Sequence, residues 1–388
     1  VIVCLFVSLC INIQILAPKR KQRNMLEAKS LRKAVVPSTL IPNPSPANLQ
    51  SSRLALHVSH DVSSCFVYIA SDCHIYKLQI PLDDSLLSKG KESLLIPIYT
   101  EVTNSSLVNR CPHRSEIQSI VLAESESTGY LLLGSVDSHG DLIVSKLDVN
   151  GEDVDRLTYT VSPRDCGIRE SSWAGLCFSP NQLSMAAVAR GFCKTVDVYD
   201  QDIHVRTFRT LLYPSAVSFM HNSCNASGSN ILAVAEGCQL TLWDLRMKAN
   251  GGCLQRICGS VGDIYYALSS SSTGNIAIGG ADRTVTIYDP RKWSALSRWV
   301  HCSKYEITGL AFSSNDPDYI YIQGVDYEVL CGNWKTNNKI FSFRGDSNWL
   351  GFSKCHNRDV LGGWCDSGSI FVADVVAKQS EIDEGFVN

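Results

Sequence analysis

The residues best suited to chemistry in this chain are two carboxylate–guanidinium pairs. Asp244 and Arg246 stand two apart at the end of Ile231–Arg246, ILAVAEGCQLTLWDLR. Asp289 and Arg291 stand two apart at the end of Ile276–Arg291, IAIGGADRTVTIYDPR. A guanidinium offers a planar fork of donors that matches carboxylates, so these residue types suit recognition by charge-assisted hydrogen bonds. They do not suit bond breaking. There is no G-x-S-x-G, no phosphate-cradling glycine loop and no H-E-x-x-H, and the nine histidines are dispersed. The expectation is a non-enzyme with no cofactor, no metal site and no small-molecule substrate. An isolated Asp-x-Arg on a surface is an ordinary ion pair worth about 0–1 kcal/mol. What sets these two apart is that they recur.

The elements that carry them recur as well. Each stretch is a β-rich run, a Gly-containing turn, a second β-rich run, an aromatic, an Asp, a free position and an Arg. Ile231 and Ile276 are 45 residues apart, the period of a four-stranded propeller blade. Cut at that period, the chain falls into seven units. The first begins near Arg53 with RLALHVS, CFVYIAS and CHIYKLQI, and Leu94–Val102 is expected to be its outer strand. The second opens at His113 and has runs at Ile117–Leu122, Tyr130–Ser135 and Leu142–Leu147. The third runs from Trp173 to Tyr199-Asp200. The fourth and fifth contain the two motifs. The sixth runs from Glu306 to Trp334, where an eight-residue gap from Asp326 leaves the register open. The seventh runs from Trp349 to Asp374. Inner strands share one rhythm, apolar–two residues–apolar–one residue–Phe, as in Ile307, Leu310 and Phe312 or Trp173, Leu176 and Phe178. A blade is too thin to bury both faces alone, so each needs the next one stacked on it.

This pattern resembles WD40 repeats along residues 53–376. The resemblance implies an all-β, seven-bladed propeller with degenerate repeats, closed by an N-terminal strand, here sought within 35–58. It also implies a hydrogen-bonded set in each blade: a His before the inner strand, Ser or Thr on the second, Asp in the turn and an aromatic on the third. Asp282 and Tyr288 keep the turn-to-aromatic spacing. Gly237 stands where the Asp before Trp243 should be, so packing must rest mostly on apolar burial. Consecutive W-D-x-R motifs resemble the signature of substrate receptors for cullin-4-type ubiquitin ligases, in which the Asp and Arg help dock the adaptor protein. Carried over residue by residue, that role falls to Asp244, Arg246, Asp289 and Arg291. Both arginines are expected on one rim, on the face away from Asp282-Arg283. Trp173, Tyr213, Tyr265, Tyr305 and Trp349 stand near the starts of inner strands and are candidates for partner binding, since exposed aromatics anchor interfaces. The competing explanation for each is a core slot.

The remaining composition narrows partners and location. The 388-residue chain has a net charge of −3, which makes no electrostatic case for nucleic acid. None of the sixteen cysteines forms C-x-x-C or stands at zinc-finger spacing from a His. They are expected to be small buried hydrophobes in a reducing compartment, cytoplasmic or nuclear. Residues 1–16 are apolar and are followed by Lys19, Arg20, Lys21 and Arg23. Three readings compete: a membrane anchor, although about 20 apolar residues are needed to span; a secretory signal with its basic residues on the wrong side; and a segment preceding translation from Met25. The last is favoured, and without residues 1–24 the charge falls to −7. No membrane partner is expected unless 1–16 is a true anchor. The two sequons, at Asn104 and Asn225, are read as chance. Residues 25–33 read as a short basic helix, 25–48 as an extended proline-rich linker in which Val35–Ile41 could add an edge strand, 49–378 as the propeller and 379–388 as a tail. The function expected is a protein-interaction scaffold, in first place a ligase substrate receptor. The alternatives are a structural subunit of a nuclear-pore, RNA-processing or trafficking complex, and more remotely a propeller enzyme or a membrane-anchored lectin-like domain.

Overall fold

The computed structural model describes residues 25–41, 44–46, 49–83, 87–108, 113–124, 130–148, 156–164, 171–221 and 230–378. The expectations for residues 1–24, the tail 379–388 and the Asn225 sequon lie outside these residues. Six four-stranded antiparallel sheets and one five-stranded sheet form the seven blades of a β-propeller. Blade 1 contains 54–58, 64–71, 74–81 and 104–107; blade 2 contains 117–124, 130–137, 142–148 and 156–161. Blade 3 contains 174–178, 185–190, 195–200 and 203–209; blade 4 contains 214–219, 231–236, 239–244 and 253–258. Blade 5 contains 265–270, 276–280, 285–289 and 294–299; blade 6 contains 307–312, 319–324, 328–333 and 338–344. The cutting at 45 residues therefore yields the observed blade count. No helix among the described residues is long and apolar enough to cross a membrane.

The core lies between blades. Strands alternate side chains between two faces, and in blades 3 to 5 both faces of the second and third strands are covered, so those strands are buried almost throughout. Ala187, Val198 and Phe219 meet Leu232 and Trp243 between blades 3 and 4, while Ile287, Trp299, Ile307 and Ile322 meet between blades 5 and 6. Tyr199, Trp243 and Tyr288 are each the penultimate residue of a third strand, and all three are buried. Close stacking requires small residues on second strands. A Cβ at Gly134 would stand 2.6 Å from the Phe178 ring of the next blade.

Blade 7 closes the ring and corrects the reading of the N-terminus. It contains 349–354, 360–365 and 369–378, then Met25–Val35 antiparallel to 369–378, and Ile98–Tyr99 outermost. The pairing runs from Met25 opposite Lys378 to Val35 opposite Ser369, with a bulge between Ala28 and Ser30. Residues 25–33 are thus not a helix, 25–35 is not linker, and the closing strand lies before the interval 35–58 in which it was sought. Leu, Glu, Ala, Lys and Arg favour helices only weakly. The open edge of 369–378 outweighs that preference, and Leu26, Ala28, Leu31 and Ala34 are buried against the core. Val35–Ile41 adds no further strand: the chain turns after Pro37, whose carbonyl accepts from the Leu40 amide. The outer strand of blade 1 is likewise Asn104–Leu107 and not Leu94–Val102. The long connection before it reaches back to blades 6 and 7, where Leu95 packs with Leu26, Phe341 and Phe343.

Candidate functional site

In blade 4 the third strand ends at Asp244, and a network fixes the loop that follows. The Trp243 indole donates to Thr241 Oγ1 at 2.9 Å, and Trp243 packs on Phe208 of blade 3 with centroids 5.2 Å apart. Arg206, on the outer strand of blade 3, donates to the carbonyls of Leu245, at 3.0 Å, and Met247. The loop is therefore clamped from the neighbouring blade. Asp244 is buried; its Oδ1 accepts from the Arg246 amide at 2.9 Å and from Nε at 3.1 Å, and its Oδ2 accepts from the second guanidinium arm at 3.0 Å. Hydrogen bonding from Arg246 holds the Asp244 carboxyl below its ordinary pKa, and the same bond raises Arg246. The Arg246 side chain is 68% exposed even so. Two of its donors face its own aspartate, and the rest face solvent.

Blade 5 repeats the backbone arrangement with a freer side chain. Asp289 Oδ1 accepts from the Arg291 amide at 2.9 Å, and the Asp289 carbonyl accepts from the Trp293 amide at 2.7 Å. Arg291 is exposed, and among the described residues its guanidinium has no partner. Both arginines follow third strands of adjacent blades, so they lie at one end of the propeller, one blade apart. The Asp282-Arg283 turn joins the second and third strands of blade 5 and lies at the other end, as expected. Lys248 and Lys292 are exposed beside the arginines, so this stretch of rim is cationic although the whole chain is acidic. Inside the rim, at the same end of the channel, lies a cavity of about 530 Å³ lined by Ser269, Ser270, Ser313, His221, His356 and Lys354 among others. The Lys354 ammonium is tied to Ser314 Oγ at 2.5 Å and to the Cys355 carbonyl at 2.7 Å, and burial lowers its pKa.

The five aromatics at inner-strand starts divide. Tyr213 is 58% exposed with the Lys194 ammonium 4.5 Å above its ring, and Tyr305 is 46% exposed beside Lys304. Tyr265 and Trp349 are buried, which corrects their reading as partner-binding residues. Trp349 packs edge-on against Phe343 and Phe371, and burial pushes the Tyr265 phenol pKa up. Trp173 is half-buried in the channel, its indole 3.5 Å from Ser52 Oγ across the ring. Trp173 follows the inner-strand rhythm with Leu176 and Phe178, and its side chain faces the channel.

Sequence reasoning missed three features. Glu236 is fully buried and accepts from the amides of Leu211 at 2.7 Å and Leu212 at 2.8 Å. It stands one residue before Gly237, where an aspartate was sought, and holds the connection between blades 3 and 4. In blade 2, buried His113 bonds Ser135 Oγ at 2.8 Å and approaches Asp137 Oδ2 at 3.4 Å. Burial alone would raise the Asp137 carboxyl, but hydrogen bonds led by that from His113 keep it below its ordinary pKa. This is the blade-stabilising set without its aromatic. Finally, exposed Phe192, Leu211, Val261 and Tyr327 join the candidates Tyr213 and Tyr305 in turns or connections on the face opposite the two arginines, spread over blades 3 to 6. No periodicity rule marks apolar residues in loops, so only the fold brings them onto one face.

The class defined by this architecture is the seven-bladed β-propeller, a fold that commonly serves as a protein-interaction scaffold. No family model and no curated protein matches the chain.

Proposed function

We propose that the chain is a non-catalytic, WD40-like interaction scaffold that acts as a substrate receptor of a cullin-4-type ubiquitin ligase. Asp244, Arg246, Asp289 and Arg291 dock the adaptor, and the opposite face, with Tyr213 and Tyr305, receives the substrate protein. The observation that carries this reading is the matched pair of exposed guanidiniums at the ends of third strands in adjacent blades. Asp244 and Asp289 cap the turns that present them. A role of this kind places the protein in the cytoplasm or nucleus, with protein partners and without nucleic acid or cofactor.

The test is affinity purification with mass spectrometry of the tagged chain and of its Arg246→Ala, Arg291→Ala double variant. The adaptor and cullin are expected with the unsubstituted chain and are expected to be lost from the variant. Recovery of a pore, RNA-processing or trafficking assembly, with no ligase adaptor, would replace this reading with that of a structural subunit.

A further inference from the structure

We propose that the Asp72-Cys73-His74 turn of blade 1 binds a divalent, thiophilic transition-metal ion of the zinc type. The turn joins the second strand, Ser64–Ser71, to the third, His74–Pro81. It lies on the face opposite the arginine rim. It places a thiol, an imidazole and a carboxylate with one donor atom each, all within 4.8 Å of one another. Cys73 Sγ is 3.5 Å from His74 Nδ1 and 3.8 Å from Asp72 Oδ2. A tetrahedral angle between a Zn–S bond of about 2.3 Å and a Zn–N bond of about 2.0–2.1 Å separates the two donors by about 3.5 Å. The thiol and imidazole already stand at that separation, and the carboxylate oxygen is 3.8 Å from the thiol. Rules for spaced cysteine pairs pass over this turn because its three donors are consecutive.

Two further observations favour a ligand here over a simple polar turn. Segment 44–46 braces the turn from outside the hairpin: Ser45 Oγ accepts from the Asp72 amide at 2.8 Å, and Ser71 Oγ accepts from the Ser45 amide at 3.3 Å. The backbone that sets the donors is thus held before any ion arrives. No Lys or Arg among the described residues forms an ion pair with the Asp72 carboxylate, so the site carries uncompensated negative charge. The S, N, O donor set selects zinc-type ions over magnesium or calcium, which take oxygen ligands. Asp72 and His74 are exposed, which leaves the fourth position to water. On binding, the Cys73 thiol loses its proton to solvent and the thiolate bonds the ion, so one proton is released per ion bound. The inference stands whether or not the arginine rim docks a ligase adaptor.

Cobalt(II) titration of the purified full chain tests it, because a thiolate ligand gives a sulfur-to-cobalt charge-transfer band and tetrahedral geometry gives intense visible bands. One equivalent is expected to saturate both, and zinc is expected to displace the cobalt. Cys73→Ser should abolish the stoichiometric charge-transfer band, and His74→Ala should weaken affinity at least tenfold. Cys258→Ser, at an exposed cysteine of another blade, should leave the titration unchanged. The proposal is overturned by absence of the band in the unsubstituted chain, by its persistence in Cys73→Ser, or by equal affinity in His74→Ala.

Discussion

At the scale of single residues, the two arginines share a backbone setting but not a side-chain state. Arg246 is chelated by Asp244, whereas the Arg291 guanidinium has no partner among the described residues. The motif that marks them is local, an Asp and an Arg two apart, and for that reason it is legible in a single sequence. Glu236 is not local in this sense. Its role depends on Leu211 and Leu212, some 25 residues earlier in the chain. Glu236→Ala would remove the buried carboxylate and its charge-assisted hydrogen bonds to two amides, each worth about 1.5–3 kcal/mol, so a loss of roughly 2–4 kcal/mol is expected. A denaturant midpoint within error of the unsubstituted chain would contradict that assignment. The His113, Ser135 and Asp137 set escaped notice for a related reason. Ile143 follows Asp137 at the spacing where an aromatic was sought, so the rule that finds Asp282 and Tyr288 fails in blade 2 although its polar half is present.

At the scale of elements, the closing strand Met25–Val35 is the one whose identity the sequence hid. Its composition favours a helix, and only the unpaired edge of 369–378, more than 330 residues later, makes it a strand. Because that strand locks the ring, its buried side chains should weigh on global stability. Leu31→Ala removes a fully buried side chain and should cost about 2–5 kcal/mol in equilibrium unfolding. A much smaller loss would mean that the strand frays independently of the ring. Polar contact adds to the closure: Lys33 Nζ stands 2.7 Å from Asp346 Oδ2. Burial raises the Asp346 carboxyl, but hydrogen bonds led by that from Lys33 outweigh it and bring its pKa to about 2, against an ordinary 3.8. A carboxyl depressed in the fold contributes stability above its unfolded pKa and loses it as pH falls through the folded value. Between pH 3.8 and about 2, the unsubstituted chain should therefore lose stability more steeply than Asp346→Asn. Parallel acid-denaturation curves would show that the pair contributes nothing to closure.

At the scale of the whole molecule, a repeat near 45 residues and a shared inner-strand rhythm suffice to specify seven blades, because each blade can be buried only by another like it. What the period leaves open is register and the outer strands. In blade 6 the third strand ends at Asn333, so Trp334 lies two places beyond the position held by Trp243. Gly332 takes that position, and the Trp299 ring of blade 5 fills the space, 2.2 Å from where a Cβ would be. The seven-bladed ring then supplies the two faces on which the functional account rests, one carrying the arginines and the other the exposed apolar residues. The most direct test is binding of the purified chain to the purified ligase adaptor, with circular dichroism confirming that each variant is folded. Truncating one partner of a desolvated charge pair costs about 2–5 kcal/mol, roughly a thirty- to several-thousand-fold rise in Kd. Arg246→Ala and Arg291→Ala should each weaken the complex by at least that lower factor, and the double variant should show no binding. Adaptor binding by the folded double variant at unsubstituted strength, or no binding by the unsubstituted chain, would contradict the account.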